Sequence, residues 1–97
     1  MISSSDNVGL RIEARPDGTI EAVYLRLRDL PVSKTKEVVR GVLLADYSRS
    51  GILVGVEILG RVSASKISRL IKDAQRRTTV LRFLRNAAPP ELVTSSL

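Results

Sequence analysis

Apolar residues alternate with polar ones in successive N-terminal segments, helical spacing replaces that alternation after Ser63, and turn-forming residues punctuate the chain. These observations predict an α+β domain: a small antiparallel β-sheet of four or five strands followed by a C-terminal helical segment. The 97 residues suffice for one domain. Leu, Ile and Val together make 31 of them, enough for a true hydrophobic core. The organisation read from the chain is a β-rich body over 1–62, a basic amphipathic helical segment over 63–88, and a flexible tail over 89–97.

The polar start, residues 1–7, reads as a frayed end. Val8, Leu10, Ile12 and Ala14 then share one face, with Arg11 and Glu13 on the other, the period of a half-buried strand. Pro16-Asp17-Gly18 is a turn: Pro presets φ, Asp bonds nearby backbone, and Gly supplies positive φ. Ile20 to Arg28 alternates again, so the two segments predict an antiparallel hairpin. Leu30 to Thr35 is expected as a loop because Pro31 has no N–H to donate to a ladder. Glu37 to Tyr47 reads as a strand bent at Gly41, Ser48 to Gly51 as a turn with Gly51 at positive φ, and Ile52 to Leu59 as the next strand.

The later strands are apolar on both faces. Leu43 and Ala45 alternate with Val42 and Leu44, and Glu57 alone interrupts the apolar run of the last strand. Strands of this kind require cover on both faces. A helix covers one; a second copy of the chain covering the other predicts a homodimer. The competing solution is a monomer whose twisted sheet folds on itself.

Ser63 is a suitable N-cap, and Val62 and Ile67 occupy the two positions of a hydrophobic staple. Ile67, Leu70, Ile71, Ala74, Leu81 and Leu84 follow near helical spacing. Two versions stay open: one helix to about Arg85, or a helix to Arg77 followed by a short second element, because Thr78-Thr79-Val80 is β-branched. Pro89-Pro90 ends regular structure.

Composition excludes several chemistries. There is no Cys and no His, so no disulfide, thiolate nucleophile, imidazole base or zinc-finger ligand set exists. The glycines Gly51, Gly55 and Gly60 form no phosphate-cradling motif. No apolar run reaches the length of a membrane span, which predicts a cytoplasmic protein with no membrane partner. No cofactor and no metal are expected. Glu57 is a carboxylate in an apolar strand; a cross-strand pair with Arg26 would satisfy both groups and set register. The alternative, a general acid or base at Glu57, lacks a second catalytic group, so no catalytic residue is assigned. Asp46 is expected to bond backbone amides of the following turn, which Gly51 closes. A metal at Asp46 would have only Ser48 and Ser50 nearby.

Charge is asymmetric. Residues 1–60 carry eight basic and eight acidic side chains, and residues 61–97 carry eight basic and two acidic, so the whole +6 lies in the C-terminal third. Arg69, Arg76, Arg77, Arg82 and Arg85 are the candidate contacts to a protein partner or to phosphate. Three aromatic residues, Tyr24, Tyr47 and Phe83, are too few for base stacking, so nucleic-acid binding would run through the backbone and be nonspecific. A partner-binding basic helix clamping an acidic protein is the competing expectation.

Ala22 to Leu27, Gly41 to Leu44, Asp46-Tyr47, Gly51 and Leu53 to Leu59 together resemble the core of a family of small bacterial proteins, domain-of-unknown-function family 2283. Its pattern reads roughly A-L-Y-I-R-L, then G-V-I-V-D-Y-D-x-x-G-x-V-V-G-I-E-I-L. The resemblance covers about residues 8–65. It implies a compact β-rich domain with a following helix and no established activity. It also implies an antitoxin-like role through a toxin-like protein partner. Ala45 is one residue more than the pattern holds before Asp46, which predicts a bulge there.

Overall fold

The structure is a computed structural model describing residues 8–94. The frayed start expected at 1–7 and the last residues of the expected tail, 95–97, lie outside the described residues.

The first hairpin joins β1 (Gly9–Ala14) to β2 (Ile20–Arg26), antiparallel. Asp17 holds its turn by accepting from the Thr19 N–H at 3.0 Å and the Thr19 hydroxyl at 2.7 Å. Gly18 takes φ +91°, a conformation that L side chains rarely adopt. The chain then crosses the end of the sheet to β3 (Lys34–Val39), and β4 (Leu43–Tyr47) and β5 (Leu53–Ile58) follow as hairpins. β5 lies beside β2, so the order is β1-β2-β5-β4-β3 and the last four make a Greek key.

Two details differ from the expected strand plan. Gly41, at φ +69°, closes a hairpin between β3 and β4 instead of bending one long strand, and β3 starts inside the expected loop, at Lys34. The bulge expected at Ala45 is not formed: Ala45 stays in register with Val56, and the shift between Asp46 and Tyr47 is made by the neighbouring strand, where Val54 is the extra residue of β5. A bulge leaves one residue without a ladder partner. Here Leu27 and Arg28, just past β2, both donate their N–H groups to the Val54 carbonyl, at 2.8 and 3.0 Å.

After β6 (Val62–Ser63), α1 (Ala64–Ser68) and α2 (Ala74–Ala87) cover one face of the sheet. Ser63 caps α1, its hydroxyl accepting from the Lys66 N–H at 3.1 Å. The helical segment breaks earlier than either expected version: α1 ends before Arg69, and the Thr78-Thr79-Val80 stretch lies inside α2. Asp73 starts α2 afresh, its carboxylate accepting from the Arg76 N–H. The break leaves carbonyls without helical partners, and Arg77 satisfies two, bonding Ile71 O at 2.9 Å and Lys72 O at 3.1 Å.

The core lies between this helical layer and the sheet. Val23 and Leu25 of β2, Leu43 of β4, and Val56 and Ile58 of β5 meet Ile67, Ile71, Val80 and Leu84. Leu92 and Val93, expected in the tail, are buried in the same core. Val93–Thr94 forms β7, parallel to β6. Two hydrophobic side chains at this point of the chain are reason enough for it to return to the body.

Candidate functional site

The face of the sheet away from the helices is polar at its centre. Tyr24, Glu57, Leu44 and Glu37 form one cross-strand row, and Arg26, Gly55, Asp46 and Thr35 form the next. Apolar Leu44 is half-buried there, and Val54 is buried against the β2–β3 crossing. The second apolar layer expected for the strands is thus interrupted by a built polar cluster.

Its centre is Asp46. The Tyr24 hydroxyl donates to Asp46 Oδ2 at 2.9 Å, and the Thr35 hydroxyl donates to Oδ1 at 2.6 Å. Tyr24 reaches from β2 to β4 by lying across β5 at Gly55. A Cβ on Gly55 would fall 2.2 Å from the Tyr24 Oη, so only glycine leaves the ring its path. The Arg11 guanidinium stands 5.3 Å from the ring centroid, at cation–π distance. Burial pushes the Tyr24 phenol up to about 12, helped by the hydrogen bond to Asp46 and that carboxylate's charge.

Two expected roles are corrected here. Asp46 does not hold the following turn; both its oxygens serve hydroxyls of neighbouring strands. Ser48 holds the turn instead: its N–H donates to Ile52 O at 2.8 Å, and its hydroxyl accepts from the Ile52 N–H at 3.1 Å. Gly51 takes the expected positive φ, +88°. Arg26 and Glu57 are not directly opposed: the register sets Glu57 against Tyr24 and Arg26 against Gly55. Arg26 pairs with Asp29 and also donates to Arg28 O. Arg26 and Glu57 do line one cleft of about 400 Å³, with Arg11, Tyr24, Asp46, Leu30, Val32 and Val54. The two Arg and two carboxylates balance its charge.

A second cleft, of about 390 Å³, opens beside the β4–β5 turn. Leu27, Tyr47, Ile52, Leu53, Leu70 and Ile71 supply its apolar lining, and Arg28, Lys72, Asp73 and Arg76 its charges. Three of the exposed large hydrophobic residues, Leu30, Val32 and Ile52, belong to loops at this end of the sheet. Leu30 and Val32 lie on the β2–β3 crossing, which Ser33 fixes by donating its N–H to Tyr47 O at 2.8 Å.

The basic candidates divide. Arg76 donates to Leu27 O, tying α2 to the end of β2, and Arg77 holds the α1–α2 break, so both guanidiniums serve the fold. Arg69, Arg82 and Arg85 are exposed. Arg82 and Arg85 share the solvent side of α2 with Gln75, Thr78, Thr79 and Asn86, and α2 contains no acidic residue. Among the described residues, no three His, Cys, Asp or Glu side chains gather where a metal ion would bind. No helix among them is long and apolar enough to cross a membrane.

No family model, no curated protein and no solved structure matches the chain.

Proposed function

We propose that this protein is a non-enzymatic interaction domain that binds a protein partner through the loop end of its sheet. The observation that carries this reading is that exposed apolar residues line both clefts at that end, Leu30 and Val32 one and Ile52 the other, each more than a third exposed. Exposed apolar residues scattered singly need no explanation, but apolar residues gathered around clefts mark interaction surfaces. Arg28 and Lys72 outnumber Asp73 on the cleft that Ile52 lines, so the fitting partner presents an apolar side chain flanked by carboxylates. The resemblance to the family of small bacterial proteins supports the same class, an antitoxin-like domain in the cytoplasm with a toxin-like partner.

Affinity capture from the native host, with and without nuclease, tests this reading. One stoichiometric protein that survives nuclease and is lost with Ile52→Asp supports it. A second reading rests on the outer side of α2, whose Gln, Thr, Arg and Asn residues suit phosphate and base-edge contacts. Material lost on nuclease treatment and on Arg82→Glu/Arg85→Glu would transfer the function to nucleic acid.

A further inference from the structure

We propose that a second copy of this chain adds to the free edge of β1, antiparallel and centred on Ile12, so that two five-stranded sheets continue as one. Among the described residues the sheet ends in two edge strands, β1 and β3. The backbone on each edge, and the charges beside it, decide which edge accepts a copy of itself.

The outward backbone groups follow from alternation. The Leu27 N–H donates to Val54 O at 2.8 Å, and Leu25 and Val23 oppose Val56 and Ile58 in the same ladder. In an antiparallel ladder, successive residues bond to opposite neighbours. Leu25 and Val23 therefore bond to β5, while Ala22, Tyr24 and Arg26 bond to β1. Their partners there are Glu13, Arg11 and Gly9. Those three turn inward, and Leu10, Ile12 and Ala14 present N–H and C=O groups to the free side.

A two-fold axis at Ile12 sets Ile12 against the second copy's Ile12 and Leu10 against its Ala14. Every outward-bonding residue then meets another outward-bonding residue. Between them, Arg11 stands opposite the second copy's Glu13, and Glu13 opposite its Arg11. These are non-hydrogen-bonded positions, where opposed side chains approach closest. Centring the axis on Arg11 or Glu13 would oppose two like charges instead. Ile12, 47% exposed in the single chain, gains a matching apolar neighbour.

The other edge lacks this self-complementarity. Leu59 N–H donates to Val42 O at 2.7 Å, so by the same alternation Lys34 and Lys36 of β3 bond inward to Tyr47 and Ala45. Self-pairing about Thr35 would oppose Lys34 and Lys36. Pairing about Lys36 or Glu37 would oppose each to itself. Charges placed this way guard an edge against its own copy.

Sedimentation equilibrium across a concentration series tests the proposal. The intact chain is expected to show reversible dimers of a 10.6 kDa subunit. Arg11→Glu and Glu13→Arg each weaken the dimer, raising its dissociation constant roughly tenfold or more. The double variant Arg11→Glu/Glu13→Arg restores it. Opposed Cα atoms at a hydrogen-bonded antiparallel pair lie about 5.5 Å apart, within disulfide reach. The chain has no Cys, so Ile12→Cys is expected to give a cross-linked dimer on mild oxidation. Circular dichroism checks that each variant is folded, and the cysteine variant tests the register independently of the charge swaps. A monomer at every concentration overturns the proposal. So does a dimer indifferent to both single swaps, or one in which the Ile12→Cys thiol does not cross-link.

Discussion

Asp46 and Tyr24 show how one polar contact organises a sheet face. The Asp46 carboxylate ties β4 to β2 through Tyr24 and to β3 through Thr35, so three strands share one acceptor group. Tyr24→Phe removes one of these bonds while keeping the ring, and is expected to cost about 1 kcal/mol in urea unfolding. The pH dependence has a defined sign. The phenol titrates near 10.0 when unperturbed and near 12 in the folded chain, so its raised pKa stabilises the fold fully below pH 10. That contribution is lost as pH rises from 10 towards 12. The difference between wild type and Tyr24→Phe in urea unfolding should therefore narrow over this interval; a constant difference would contradict the assignment. Gly55→Ala forces Tyr24 off Asp46 and crowds Leu25 O, at an expected cost of about 1–3 kcal/mol, again measured by urea unfolding.

At the scale of elements, legibility follows whether a local signal stands clear of the surrounding pattern. The Pro16-Asp17-Gly18 turn, the Gly51 turn and the Ser63 cap were legible because each rests on residues a few positions apart. The break between α1 and α2 was not, although the contacts that set it are also local, because the apolar spacing runs on across it. Asp73 caps α2, and Arg77 reaches back to Ile71 and Lys72. The Asp73-Ala74-Gln75 step was the available signal, hidden by apolar spacing that runs on through Leu70 and Ile71. Asp73→Ala is expected to cost about 1 kcal/mol, with the loss of helical circular dichroism on heating concentrated in α2. The β-branched Thr78 and Thr79 do not end the helix; their hydroxyls bond back to Ala74 O and Gln75 O, both at 3.2 Å.

At the scale of the molecule, the chain places one helical layer on one sheet face and a polar cluster on the other. The α+β class was legible from the periodicities, since the core-facing residues Val23, Leu25, Val56 and Ile58 fall on one alternating set. The polar cluster was only partly legible. Arg26, Asp46 and Glu57 stood out in the sequence and Tyr24 and Gly55 did not, and Asp46 and Arg26 took different partners because register decides which residues meet. The clefts at the loop end were not legible, since they depend on how the β2–β3 crossing, the β4–β5 turn and the α1–α2 break converge. The most direct measurement is an NMR map of backbone and methyl shifts on adding the captured partner. The largest changes are expected on Leu30, Val32, Ile52 and Leu70. Changes confined to Gln75, Thr78, Arg82 and Arg85 on α2 would contradict that expectation.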